Sequence, residues 1–295
     1  MERDLTERIS VQIIRSNVIR KVSAFLDNLM SRSLGVPALR PVKIFLNGSW
    51  IGHPLHPMLT DIPIGAWTLT ILLDLIGLLF EFPQLGLASA ITAGVGVAGA
   101  LAAVAAGLAD WMDIDPPEKA IGAFHATVNV SATVLFLVSL LMRWRRHWET
   151  GWEPFVVALA GYLFAMIGGY LGGAMVFYKG VMINRNAYRA GPDEFIPVVA
   201  MQDLGEGQMK RVLVEEQPVL LLKLGGTVYA LSAVCSHYGA PLNQGKIAER
   251  TIECPWHASR FALEDGRVVQ GPACAGVPVY DCKIASDQVQ IKLRQ

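Results

Sequence analysis

Four long apolar segments occupy the first two thirds of the chain, and short alternating runs occupy the last third. The apolar segments run over Met58–Phe80, Leu87–Ala109, Ile121–Met142 and Pro154–Phe177. Each has close to the ~20 residues that a helix needs to cross a bilayer. The pattern predicts a bundle of four transmembrane helices, with both ends of the bundle on the same side of the membrane.

Ahead of the first span, residues 5–34 carry apolar side chains at helical spacing with Arg8, Arg15, Arg20 and Lys21 between them. This pattern predicts an amphipathic helix on the membrane surface or on the bundle, and packing against the C-terminal domain is the alternative. The first residues are charged and lack an apolar core, so we do not expect a cleavable secretory signal.

From Ile196 onward, runs such as RVLVEE, VLLLKL and VQIKL are separated by the turn signals LGGT and EDGR. Short alternating runs between turns are typical of a small antiparallel β domain. The predicted organisation is an amphipathic lead-in over 1–45, a transmembrane domain over 46–179, a linker over 180–195 and a β domain over 196–295.

Composition agrees with a membrane protein. Hydrophobic residues make up 53% of the chain and charged residues only 17%, with a mean hydropathy of +0.40. Soluble domains have about 25% charged residues. The formal net charge is zero, which argues against a nucleic-acid partner.

The basic residues near the helix ends indicate the orientation of the chain, because Lys and Arg are enriched in cytoplasmic loops. One side holds Arg40, Lys43, Lys119, Lys179, Arg185 and Arg189, and the other holds Arg143, Arg145 and Arg146. We therefore expect a multi-pass protein of the inner (cytoplasmic) membrane whose termini and β domain are cytoplasmic.

Two Cys–His pairs lie in the β domain, in the stretches CSHYGAPL and CPWHASRF. Cys235 and His237 are one residue apart, and Cys254 and His257 are two residues apart. Two thiolates on one iron and two imidazoles on the other would hold a binuclear [2Fe–2S] cluster. A tetrahedral zinc site is the alternative for this ligand set.

These pairs, with GAPL and the later GPACAGVP, resemble the Rieske family over residues ~196–295, which implies a small β-sandwich with the cluster at its tip. The sequence also lacks several residues that respiratory members of this family have. Ala240 and Trp256 stand where respiratory members have a pair of bridging cysteines. Ser259 matches a hydrogen-bond donor of those members, but Phe261 lacks the hydroxyl of their tyrosine.

Fewer hydrogen bonds to the cluster predict a low-potential centre of the ferredoxin type. Ala258 replaces the usual glycine, and Cys274 and Cys282 are expected to be plain thiols. The residues after His257 contain no histidine, so we do not expect the catalytic subunit of a Rieske oxygenase.

The stretch GHPLHPMLTDIPIGAW introduces the first span with His53 and His56. His125 enters the third span from the same side, so the three histidines are expected at similar depth. Together with GLADW, the stretch resembles a family of predicted membrane proteins of unknown function, over residues ~40–180, which implies no settled chemistry.

Three interpretations of these histidines remain open. His125 with His53 or His56 could bind a b-type haem; the same residues with Asp61 could bind quinone or transfer protons; or they could be structural. Gly99, Gly107 and the GGYLGG stretch would allow room for a cofactor, but small residues are also the ordinary means of packing membrane helices.

These observations predict a membrane-bound iron–sulfur carrier that passes electrons between a soluble partner protein and a haem or quinone in the bilayer. Two alternatives remain: a ferredoxin domain on an inert anchor that serves a separate oxidoreductase, and an iron–sulfur redox sensor.

Overall fold

The computed structural model describes residues 4–188 and 191–294, which fall into two compact units. Residues 4–46 and 55–181 form a helical unit, and residues 47–54, 182–188 and 191–294 form a unit built on β-strands. Arg189, one of the charges used above for the orientation, lies outside the described residues, as does part of the predicted linker.

Four helices of the helical unit are long and apolar enough to cross a membrane, which confirms the predicted bundle. They are α4 (Leu55–Leu79), α5 (Leu85–Trp111), α6 (Pro116–Arg145) and α7 (Trp152–Gly173), the last continuing through a π-helical turn at Ala174–Tyr178. Each helix extends beyond its predicted apolar segment at one or both ends, as in α6, which begins at Pro116 and ends at Arg145.

Small and aromatic side chains pack the centre of the bundle. Trp67 of α4 stacks on Phe136 of α6 with ring centroids 4.2 Å apart. Gly99 of α5 lies so close to α4 that a Cβ there would come within 2.5 Å of Ile62. Close approach through small residues is how helices associate in lipid, where burial of apolar surface supplies no driving force.

A buried ion pair joins α4 to α6. Arg143 and Asp74 are 0% and 1% exposed, and the guanidinium donates to both carboxylate oxygens, with Nη1 2.6 Å from Oδ1. Ser89 of α5 donates to the same Oδ1 (2.6 Å), and Ser139 donates to the carbonyl of Pro154 (2.7 Å). The pattern of charges predicts Arg143 in a loop, whereas the structure places it inside the bundle.

The predicted amphipathic helix over 5–34 is two helices, α1 (Leu5–Arg15) and α2 (Asn17–Arg32), followed by the short α3 (Arg40–Asn47). Ser16 divides them, because its extended backbone ends α1 while its hydroxyl caps the N–H of Ile19. Lys119 of α6 contacts Asp27 at 2.5 Å, and Thr6 contacts Tyr170 of α7 at 2.8 Å. The two helices therefore lie on the bundle.

The β unit contains two antiparallel sheets, as the alternating runs predict. The larger sheet has the order β1-β10-β9-β4-β3-β2 and the smaller sheet the order β5-β6-β7-β8. The strands are β1 (Ile196–Ala200), β2 (Met209–Val214), β3 (Gln217–Leu224), β4 (Thr227–Ser232), β5 (Lys246–Ala248), β6 (Thr251–Glu253), β7 (Arg260–Ala262), β8 (Val268–Gln270), β9 (Val279–Ala285) and β10 (Gln288–Leu293).

Candidate functional site

The two Cys–His pairs lie on two loops that share one turn geometry. In the loop after β4, the N–H of Cys235 donates to the carbonyl of Ala240 (2.9 Å), and Gly239 donates back to Cys235 (2.9 Å). In the loop after β6, Cys254 donates to Ser259 (2.8 Å) and Ala258 donates back to Cys254 (3.1 Å). The same pair of bonds, to residue i+5 and from residue i+4, therefore sets each cysteine at the start of a tight turn.

This turn needs a left-handed residue four positions after each cysteine. Gly239 has φ +81° and Ala258 has φ +56°. Glycine adopts this region without cost, whereas an L side chain there costs roughly 1–2 kcal/mol. Ala258, noted in the sequence as a departure from the family pattern, keeps the same backbone shape in spite of its Cβ.

The two cysteine thiols are buried against each other, with Cys235 1% and Cys254 3% exposed. The hydrogen bond between them, and then burial, raises the pKa of Cys235, whereas the same bond lowers the pKa of Cys254 to about 7. Backbone N–H groups of His237 and Tyr238 point at Cys235, and those of Trp256 and His257 at Cys254; both sets lower the thiol pKa. Such donors stabilise negative charge on sulfur, as a metal–thiolate site requires.

The two histidines lie beside each other at the other end of these loops. Their ring centroids are 5.1 Å apart and their planes are nearly perpendicular (89°). His237 is 5% exposed and His257 is half-buried. Paired sulfurs with N–H donors, and paired imidazoles next to them, fit the two halves of a [2Fe–2S] cluster.

The surroundings of the loops are mostly apolar. Phe261 is fully buried in the same hydrophobic cluster as the two cysteines. Ser259 is also fully buried, and its Oγ accepts a hydrogen bond from the N–H of Ala273 (3.0 Å). Ala240 is buried and Trp256 is 53% exposed, so the positions without bridging cysteines hold side chains of opposite exposure.

A third segment supports the site, and part of this support has no signal in the sequence. Residues 271–278 follow β8, and the carbonyl of Ala275 accepts a 2.5 Å hydrogen bond from the Ser236 hydroxyl. Residues 47–54 pack here too, since the Cys274 thiol donates to the carbonyl of Asn47 (3.4 Å). Asn47 and Cys274 are 227 residues apart in the sequence. No local pattern in GSWIGHP indicates that this segment packs against the β unit.

Of the three membrane histidines proposed from sequence, the structure brings two together. The ring centroids of His56, in the first turn of α4, and His125, in α6, lie 6.1 Å apart. His53 belongs to the segment 47–54 of the β unit and its Nδ1 contacts the carbonyl of Pro54 (2.8 Å). Asp61 is exposed on α4, and Asp74 is in the ion pair with Arg143.

Comparison with known families finds two matches along the chain. Residues 194–281 match the Rieske [2Fe-2S] domain, and residues 52–185 match a predicted membrane protein family (DUF2231). Both agree with the resemblances seen in the motifs.

Individual relatives cover the β unit. The ferredoxin component of the naphthalene 1,2-dioxygenase system of Pseudomonas aeruginosa is 33% identical over 101 residues, which is 34% of this chain and 97% of that protein. Apoptosis-inducing factor 3 of Mus musculus is 35% identical over 95 residues, which is 32% of this chain and only 16% of that protein.

Among solved structures, the ferredoxin of carbazole 1,9a-dioxygenase from Nocardioides aromaticivorans IC177 is 27% identical, with a TM-score of 0.33. It covers 34% of this chain and 98% of that chain.

Proposed function

We propose that this chain, which belongs to the Rieske [2Fe-2S] domain family and also carries a DUF2231 membrane domain, passes electrons between a soluble redox protein and a haem or quinone held in its membrane unit. The observation that carries the proposal is the repeated turn that sets Cys235 and Cys254 side by side, with His237 and His257 paired next to them.

The cysteines would bind one iron and the histidines the other, as in Rieske centres. A cluster held there exchanges one electron at a time. The chain's own contribution is to keep both sulfurs dry, to direct four backbone N–H groups at them, and to leave one histidine accessible.

The exposed edge of the site is where a soluble partner would dock. His257 is half-buried, whereas its neighbours Pro255 and Trp256 are exposed. Aromatic side chains with a large exposed area are enriched at protein interfaces. A relative named as the ferredoxin component of a dioxygenase system supports a protein partner of this kind.

We place the β unit on the cytoplasmic face of the inner membrane. The count of basic residues supports this placement, with six on the side of the chain ends against three on the opposite side. Lys and Arg are enriched in cytoplasmic segments next to membrane helices.

The ligand assignment is tested by electron paramagnetic resonance (EPR) of the dithionite-reduced protein. Cys254→Ser or His257→Ala is expected to abolish the reduced [2Fe–2S] signal, and Cys282→Ser is expected to keep it at one cluster per chain. Cys282 is a matched control because it is a thiol of the same unit outside the site. A Cys254→Ser protein with a full-strength signal would refute the assignment.

The membrane step is tested with His125→Ala in native membranes. If the helical unit accepts or supplies electrons, this variant slows reoxidation of the reduced cluster, which is followed by the EPR signal after a reductant pulse. An inert anchor, or a sensor without sustained turnover, would show the wild-type rate, and that outcome would reject electron transfer through this unit.

A further inference from the structure

We infer that His56 and His125 coordinate one haem iron through their Nε2 atoms, with imidazole planes near perpendicular. The inference rests on the proposed function, because it names the group in the membrane unit that exchanges electrons. Quinone, the other candidate, becomes an outcome of the test.

The hydrogen bonds of both rings point to this assignment. His56 Nδ1 lies 2.8 Å from the carbonyl oxygen of Ala103 on α5, and His125 Nδ1 lies 2.9 Å from that of Gly168 on α7. A carbonyl can only accept, so Nδ1 carries the proton in each ring. In the neutral imidazole, Nε2 then keeps its lone pair, which is the metal-binding form fixed by a second hydrogen bond.

Asn129, one turn beyond His125, contacts the same ring. Its side-chain nitrogen donates to the backbone oxygen of His125 (2.8 Å) and lies 3.4 Å from both ring nitrogens. An iron at Nε2 would therefore replace only a long contact with this amide, whose 2.8 Å bond to the backbone would remain.

Each ring also rests on a glycine one turn after its carbonyl partner. A Cβ on Gly107 would come within 2.8 Å of His56 Nδ1, and a Cβ on Gly172 within 3.2 Å of His125 Cε1. The pairs Ala103/Gly107 on α5 and Gly168/Gly172 on α7 have the same spacing of four residues. The two helical hairpins thus provide the same cradle, carbonyl and bare backbone, for one histidine each.

The relative position of the two rings suits a shared metal. Their centroids are 6.1 Å apart with planes at 85°, a separation compatible with two imidazoles that each place a nitrogen about 2 Å from one ion. A quinone carbonyl, by contrast, needs a hydrogen-bond donor, and neutral rings with the proton on Nδ1 present only acceptors.

The scarcity of further ligands favours haem over a bare metal ion. Across residues 4–188 and 191–294, no three His, Cys, Asp or Glu side chains are grouped so that they could hold a metal ion. Two protein ligands alone hold a bare ion poorly, whereas a porphyrin supplies four nitrogens and needs only the two axial ones. Bundle cores commonly bind cofactors through side chains on facing helices.

The test uses the full chain expressed with a haem precursor and purified in detergent, with haem measured per chain and by visible and EPR spectra. We expect one low-spin haem per chain and a ferric EPR signal dominated by a single low-field feature, as near-perpendicular axial planes produce. His56→Ala and His125→Ala should each lose the six-coordinate spectrum, and His53→Ala and His147→Ala should keep it.

A His125→Gly variant guards against simple misfolding, because added imidazole should enter the vacated space and restore the low-spin spectrum. Gly107→Ala and Gly172→Ala should lower haem retention about 10–100-fold, because the added methyl group displaces a histidine ligand. Gly94→Ala should not lower it, because the space at the Gly94 Cβ is open.

Three results would overturn the inference: no haem in the wild-type chain, retention of the low-spin spectrum in His56→Ala, or loss of that spectrum in His53→Ala. Failure of the inference is distinguishable from failure of the proposed function. A chain without haem that keeps the cluster signal, and whose reoxidation responds to added quinone, would leave electron transfer standing and name quinone as the membrane group. A chain without the cluster signal would remove the proposed function itself.

Discussion

Ser259 and Phe261 are both fully buried near the two cysteines, but only the serine has a hydroxyl group. Hydrogen bonds to a cluster stabilise its more negative, reduced form and so raise its potential. With one such side chain in place, we expect a potential near the lower end of the Rieske range, about −150 mV.

Ser259→Ala should lower that potential further. Removal of one hydroxyl donor is expected to lower the midpoint potential by a few tens of millivolts. For one electron, about 59 mV corresponds to a tenfold change in the equilibrium constant. An EPR-monitored redox titration measures it, and Ser286→Ala, an exposed change in the same unit, is the control. An unchanged midpoint in Ser259→Ala would show that this hydroxyl does not stabilise the reduced cluster.

Cys282 should react with alkylating reagents only at high pH. Burial, and then the neighbouring Asp281, raises the pKa of this thiol to about 11. Because the thiolate is the nucleophile, the rate of modification by iodoacetamide should stay low at pH 8 and rise as the pH approaches 11. Mass spectrometry of the Cys282 peptide reports the rate.

The same peptide in urea is the reference for this measurement. Its thiol titrates near 9, so it should react well below the pH needed by the folded chain. Equal pH profiles for the folded and denatured chains would contradict the raised pKa.

At the scale of the elements, the ion pair between Arg143 and Asp74 should stabilise the packing of α4 against α6. Asp74→Asn leaves a buried guanidinium without its counter-charge, which is expected to destabilise the helical unit by about 3–5 kcal/mol. The double variant Asp74→Asn/Arg143→Gln removes both charges and should recover much of the loss. Thermal unfolding in detergent, followed by tryptophan fluorescence, measures both.

If the double variant were no more stable than Asp74→Asn alone, the ion pair would not account for the loss. Ser89→Ala gives an intermediate reference, because it removes one donor to the same carboxylate and no charge.

The elements were largely predictable from the sequence, and their contacts were not. Apolar runs of span length identify α4 to α7 by themselves, and alternation with turn signals identifies the β domain. The break at Ser16 depends on one backbone conformation, and a continuous amphipathic period hides it.

The candidate site divides in the same way. The Cys–His spacing alone points to Cys235, His237, Cys254 and His257, since ligands of one cluster come from two short loops. The choice of His56 over His53 as partner of His125, and the pairing of Arg143 with Asp74, depend on how helices far apart in sequence pack. Residue pattern carries no information on that packing.

For the whole molecule, four spans and the distribution of basic residues predict that both termini are cytoplasmic. A green fluorescent protein fused after the C-terminus should fluoresce, and alkaline phosphatase fused there should be inactive. Fusions in the loop near Gln84, between α4 and α5, should give the opposite pattern. An active phosphatase at the C-terminus would show that the chain has the opposite orientation, with its termini outside the cytoplasm.

The pairing of Arg143 with Asp74 also has a consequence for how the chain is made. Asp74 emerges from the ribosome before its partner, because α4 and α5 are synthesised ahead of α6. During that interval the lipid-inserted hairpin carries an acidic group that is bonded within the hairpin by Ser89. An ionisable residue in a membrane span is unfavourable until it is paired. Insertion of α6 brings Arg143 to Asp74 and removes this cost. Membrane insertion therefore has a fixed order, in which the first two transmembrane helices are stable only after the third has packed against them.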